Sequence, residues 1–241
     1  MRALYVGELW QGGTCLERAK ILQERGWQLV LFEITPYLRG RHRLMASLQH
    51  RLLWGPDVAR VNRDLIAAAR DAGRLDLIWV DKGRWLHAET LAEIKRQAGA
   101  LAVHYTPDPS FTAHTSRHFE ACLPLYDLCI TTKRYELDAY HAHGAREVLF
   151  TLQGIDDRFA RLPKCGRLDG RAFDFMLIGH REPHYLRVIA AARPVCGSIR
   201  VYGNGGSAWR FGGSGQASSR KAFMATATPG RWRKRASGWG S

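Results

Sequence analysis

The chain has 241 residues, 46% of them apolar, with a formal net charge of +14. That size and composition suit one large globular domain or two modest ones with a sizeable core. No apolar run reaches the roughly 18 residues of a membrane span, and MRALYVGELWQGG leads into a charged helix without a signal-peptide pattern, so a cytoplasmic protein is expected. The five cysteines, Cys15, Cys122, Cys129, Cys165 and Cys196, form no C-x-x-C pair and have no histidines at zinc spacing, which argues for free thiols and against a metal site. The charge is uneven: no Asp or Glu follows Glu182, and seven basic residues from Gly205 onward supply half the excess.

The first element is a strand over residues 2–6, followed by the glycine-marked turn GELWQGGT and a helix over 14–25 with Leu16, Ala19, Ile21 and Leu22 as its apolar positions. Gly26 stops that helix, and 28–32 is a second strand. A basic loop over 37–43 leads to helical stretches at 45–53 and 57–72, broken by Gly55-Pro56. Residues 76–80 form a third strand running into Asp81-Lys82-Gly83, and a helix over 88–97 stops at Gly99. LAVHYTPDPSF is a fourth strand, which ends near Tyr105 because Pro107 and Pro109 lack the N–H that a ladder needs. A helix over 112–122, a strand over 127–131, a helix over 136–143 and a strand over 147–150 complete the series. Strands alternating with helices predict an α/β fold: a doubly wound, mostly parallel sheet with right-handed crossovers.

After Phe150 the texture changes. Residues 153–172 carry Gly154, Pro163, Gly166 and Gly170 without a period and read as a connector. A strand over 173–178, the loop Gly179-His180-Arg181-Glu182, a helix over 183–192 and a strand over 199–202 open a second, incomplete α/β unit. The expected organisation is therefore a Rossmann-like domain over 1–152, a linker over 153–172, the start of a second domain over 173–204 and a tail over 205–241. The tail has no apolar periodicity and is expected to be disordered.

The chemistry-bearing residues cluster at the predicted carboxyl ends of strands, where open α/β sheets bind ligands. The turn of residues 7–14 has the glycine spacing of a phosphate-binding loop, but Gly13 replaces the lysine, so an ATPase is not expected; a dinucleotide fingerprint is absent too. Gly12, Gly13 and Thr14 still let a ligand approach a helix N-terminus, or serve only the conformation of the turn. Asp81, Lys82, Arg84 and Trp85 suit a polar ligand such as a sugar, with a solvated loop capped by Asp81 as the alternative. His104, Thr106, Asp108 and Ser110 are delivered together after the fourth strand, where His104 or Asp108 is a candidate general base. The competing reading has Asp108 or Ser110 capping the helix expected at Thr112.

In order and spacing over residues 2–205, VGELWQGGT, DLIWVDKGRWL, HYTPDPSF, DLCITT, LQGIDDRF and FDFMLIGHRE…IRVYGNG resemble a GT-B-fold glycosyltransferase of the spore-maturation-protein or "glycosyltransferase group 1" type. The resemblance implies an amino-terminal acceptor domain and a carboxy-terminal domain for a nucleotide-sugar donor, with no metal or other cofactor. It makes Gly12, Gly13, His104 and Asp108 cleft residues and puts Gly179 and Arg181 beside the donor phosphates. The implied partners are a nucleotide sugar and an acceptor glycan or protein. The family pattern stops after Gly205, and the acid-free Gly/Arg/Ala/Ser/Trp tail looks like a gene read in a shifted frame, so a truncated product without turnover is expected. Two other functions remain open: a non-catalytic polysaccharide-binding module, and a nucleic-acid binder using the basic tail with Trp209, Trp232 and Trp239 for stacking.

Overall fold

The computed structural model describes residues 1–39, 49, 52–112, 115–154, 174–179 and 183–202. The helix expected at 45–53, most of the connector, the His180–Glu182 loop with Arg181, and the tail lie largely or wholly outside them. The chain divides into two units, Met1–Ile155 and Asp156–Ser241.

The first unit is a six-stranded, all-parallel sheet. Its strands are β1 (Arg2–Gly7), β2 (Gln28–Glu33), β3 (Leu77–Asp81), β4 (Leu101–Thr106), β5 (Leu128–Thr131) and β6 (Val148–Phe150). The helices are α1 (Thr14–Glu24), α2 (Thr35–Arg39), α3 (Pro56–Ala72), α4 (Ala88–Ala98), α5 (Arg117–Cys122) and α6 (Leu137–Ala142). The spatial order β2-β1-β3-β4-β5-β6 reverses direction at β1. Right-handed crossovers then place α1 on one face and the later helices on the other.

Burial follows that division. Leu4, Val6, Ile78, Val80, Ala102 and Cys129 form one core with Val58, Val61, Leu65 and Ala69 of α3 and Leu91 and Ile94 of α4. In α3 the apolar residues recur three or four positions apart, so one stripe faces the sheet. Pro56 opens that helix where its missing N–H is harmless, and Gly73 ends it with φ of 68°. On the opposite face Tyr5, Trp79 and Tyr105 stack across neighbouring strands, with centroids 6.2 and 5.9 Å apart. The guanidinium of Arg18 lies 4.3 Å from the Tyr105 ring centre.

Four expectations are corrected. The helix after β4 begins at Arg117 and not at Thr112, and its cap is Ser116, whose Oγ accepts from Phe119 N at 3.2 Å. Asp108 and Ser110 do not cap it, because the loop they occupy is tied elsewhere: the amides of Ser110 and Phe111 each donate to the buried Glu136 carboxylate at 3.1 Å. Trp85 is buried in the core, so it is not a ligand platform. The helix expected over 136–143 begins as a tighter turn over Arg134–Glu136 before α6.

Within the second unit, β7 (Phe175–Ile178) and β8 (Ile199–Tyr202) pair in parallel, joined by α7 (Pro183–Ala192). Leu177, Ile189 and Val201 form a small core, while Met176, Ile178 and Tyr202 are exposed.

Candidate functional site

The topological reversal between β1 and β3 is where an open α/β sheet has its natural crevice, since the loops leaving the two strands depart toward opposite faces. Gly7 ends β1 and Asp81 ends β3, and a Cβ built on Gly7 would lie 3.2 Å from the Asp81 Cβ. The loops after β1, β3 and β4 therefore open at one end of the sheet.

Asp81 forms the floor. Its carboxylate is buried, accepts from Arg18 Nη2 at 2.7 Å and Nε at 3.3 Å, and accepts from the Tyr5 hydroxyl. Burial and the adjacent Asp81 carboxylate raise the Tyr5 pKa. Burial acts against the charge on Arg18, but the pairing with Asp81 outweighs it and raises its pKa. Cys15, beside the same group, is pushed up to about 11 by burial and then by Asp81. Asp81 is thus neither a solvated cap nor open to a ligand: it fastens α1 to the strand ends beneath the crevice.

Lys82, the next residue, has φ of 63°. For a side chain with a Cβ that conformation is disfavoured and needs support from its surroundings. Three hydrogen bonds give it. Lys82 N donates to Tyr105 O at 2.9 Å, Gly83 N donates to Asp81 O at 2.8 Å, and the Lys82 carbonyl accepts from His104 Nε2 at 3.2 Å. The result is that Lys82 Nζ reaches Asp108 Oδ2 at 2.8 Å, with both side chains about one-third exposed (33% and 34%). Burial works against the ammonium, but hydrogen bonding and charge from Asp108 raise its pKa.

Asp108 is held by its own loop. Its N–H donates to Thr106 Oγ1 at 3.1 Å, Thr132 Oγ1 donates to Pro107 O at 3.1 Å, and Ser110 Oγ lies 3.2 Å from the Tyr140 hydroxyl. Lys82, Arg84, Thr106, Asp108, Ser110 and Phe119 line a cavity of about 10 Å³, the size of one water. Burial lowers the pKa of Arg84, with Glu8 partly opposing, and its Nε is buried without a hydrogen-bond partner.

His104 does not line this crevice. It sits on the face covered by the later helices, fully buried among Phe119, Tyr126 and Tyr140, with ring centroids 4.7, 5.4 and 6.2 Å away. Burial lowers its pKa to about 4. Since a carbonyl can only accept, the Nε2 nitrogen carries the hydrogen, and Nδ1 is buried without a partner. His104 therefore supports Lys82 from behind, and the expectation of a cleft histidine is corrected by the strand's period of two, which turns it inward.

Gly12 and Gly13 shape the turn before α1. Gly12 has φ of 85°, and a Cβ on Gly13 would sit 3.0 Å from both the Trp10 ring and its carbonyl oxygen. Thr14 begins the helix, whose first amides face the same end of the sheet. In the second unit Gly179 follows β7 and donates to Tyr202 O at 2.9 Å. Among the described residues, no group of three or more His, Cys, Asp or Glu side chains is arranged to hold a metal ion. Glu136, Arg18 and Tyr5, which hold the site together, carry no local sequence signature.

Compared with known protein families, the chain matches no family model, and no curated protein is significantly similar to it. What the fold and the loops define is a class: a doubly wound α/β protein with a charged crevice at its switch point.

Proposed function

We propose that the first unit is the acceptor-binding part of a glycosyltransferase-like protein whose chemistry moves a sugar from a nucleotide donor to an acceptor hydroxyl. The observation that carries this reading is the Lys82–Asp108 ion pair at 2.8 Å, held half-open at the carboxyl ends of β3 and β4. In this reading Asp108 takes the acceptor hydroxyl proton, and the acceptor oxygen bonds to the anomeric carbon as the bond from that carbon to the donor phosphate breaks. Lys82 orients the carboxylate and hydrogen-bonds a neighbouring hydroxyl. The motif order of the sequence and the parallel sheet support it.

In the second unit Gly179 and Arg181 are the proposed phosphate contacts, and residues 183–241 carry no Asp or Glu that could hold a ribose. We therefore expect acceptor binding without turnover, with donor affinity in the millimolar range or weaker. Calorimetry with a panel of nucleotide sugars, paired with a donor-hydrolysis assay, tests this. Weak donor binding and no turnover is the expected result; micromolar binding or steady turnover would overturn the expectation of inactivity, and no binding of any nucleotide sugar or glycan to the crevice would overturn the reading itself. A nucleic-acid binder would instead show affinity that falls steeply with salt.

A further inference from the structure

Leu53 and Lys82 are the two non-glycine residues with positive φ among the described residues, at 51° and 63°. Each has its carbonyl oxygen held by a histidine: His104 Nε2 at Lys82, and His118 Nε2, at 2.8 Å, at Leu53. His118 in turn packs against His87, with the rings tilted and their centroids 4.5 Å apart. At Lys82 the unfavourable conformation delivers a side chain to the crevice. At Leu53 it buries the leucine and turns the next residue, Trp54, outward, where it is 68% exposed beside Leu52.

An indole so exposed is unusual, because its apolar area is normally withdrawn from water. Trp54 forms one wall of an open cavity of about 570 Å³, within the range of small-ligand sites. The facing wall is the start of α5: Thr115, Ser116, Arg117 and Glu120. Ser116 is committed as the helix cap and through its bond to Arg84 O at 2.6 Å, which fixes this wall to the loop bearing Lys82. Arg117 and Glu120 lie one turn apart, yet among the described residues their side chains make neither an ion pair with each other nor any other hydrogen bond.

We infer that this cavity is a saccharide-binding site, with Trp54 stacking on the apolar C–H face of a pyranose ring and Arg117 and Glu120 hydrogen-bonding its hydroxyls. A hydroxyl both donates and accepts, so it satisfies a cation and a carboxylate side by side, and a wall carrying one charge of each sign has no preference for an anion. A nucleotide would stack on the indole equally well, but would bring its phosphate toward Glu120. That the bound sugar is the acceptor rests on the transferase reading above; that the cavity takes a sugar does not.

The test uses the full chain with methyl β-glucopyranoside, methyl β-galactopyranoside and N-acetylglucosamine as probes, and uridine monophosphate as the counter-probe. Saturation-transfer NMR and calorimetry read the binding. At least one sugar should bind with millimolar affinity, weakened about tenfold or more in Trp54→Ala and by no more than about threefold in Trp54→Tyr. Circular dichroism verifies folding, and Arg117→Met with Glu120→Gln provides a second route to the same loss should Trp54→Ala be unstable. No binding of any sugar, binding untouched by all of these variants, or nucleotide monophosphate bound in preference would each overturn the proposal. Sugar bound at Trp54 with neither nucleotide sugar nor glycan bound in the crevice would refute the transferase reading alone, and binding in the crevice without sugar at Trp54 would do the reverse.

Discussion

The imidazole of His104 donates through Nε2 to the carbonyl of Lys82, 3.2 Å away, from inside a fully buried aromatic cage. A surface loop in an unfavourable conformation is thereby tied to the core of the sheet. The ring is neutral there, because burial, only partly opposed by the bond to the Lys82 carbonyl, lowers the His104 pKa to about 4 while an unfolded histidine titrates near 6.5. Between those values the unfolded chain binds a proton that the folded chain refuses.

Stability should therefore be full above pH 6.5 and fall as the pH drops from 6.5 toward 4, by about 3 kcal/mol from this group. His104→Phe fills the same cage without titrating and should remove that part of the slope. Urea unfolding of both proteins across the window measures it, and parallel slopes would show that His104 is not the titrating group.

Asp108 distinguishes binding from folding. Its pair with Lys82 is about one-third exposed on both sides, so solvent screening limits its contribution to at most about 1 kcal/mol. Asp108→Asn should leave the melting temperature nearly unchanged and abolish acceptor binding in the crevice. Ser116→Ala should do the opposite: it removes the cap of α5 at a cost of about 1 kcal/mol or more and leaves Asp108 in place. Thermal melts combined with glycan titrations separate the two, and a large stability loss in Asp108→Asn with binding intact would refute the assignment.

Much of this arrangement was legible in the sequence, for stateable reasons. Strand ends at Asp81 and near Tyr105 follow from glycine and proline placement, and the alternation of apolar runs with helical periods specifies a parallel sheet. Periodicity identified His104 as a strand residue but did not say which face was covered, and that depends on the strand order, which reverses at β1. Glu136 and Arg18 were illegible because each acts on a loop distant in sequence: Glu136 on Ser110 and Phe111, and Arg18 on Asp81. The start of α5 is set by Ser116, whose side chain caps it, and nothing local distinguishes that residue from Asp108 or Ser110 as a cap.

The buried group beneath the crevice carries a larger stake. Asp81 has a fully buried side chain, so Arg18→Met would leave its charge without its cationic partner, at an expected cost of about 3–5 kcal/mol. Asp81→Asn in the same background removes that charge and should recover part of the loss. A double-mutant cycle by chemical denaturation gives the coupling. Additive losses would mean that the two side chains do not interact in solution as they do here.

Gly83 provides the last test, because it separates backbone strain from steric contact. Gly83 and Gly99 have nearly the same backbone angle, with φ of 65° and 62°. A Cβ on Gly99 would meet nothing within 4 Å, whereas one on Gly83 would lie 2.9 Å from Val80 Cγ1 and 3.1 Å from the Tyr126 hydroxyl. Gly99→Ala should therefore cost only the left-handed conformation, about 1 kcal/mol. Gly83→Ala adds a clash with two residues of the packed core, which have little room to move, and should cost roughly 2–4 kcal/mol. Because Gly83 follows Lys82 directly, relief of that clash would shift the Lys82 backbone and loosen both the His104 bond and the pair with Asp108. Binding in the crevice should then weaken in Gly83→Ala and not in Gly99→Ala. Equal stability losses in the two variants, with binding retained in both, would show that the turn after β3 is not the tight support of the crevice described here.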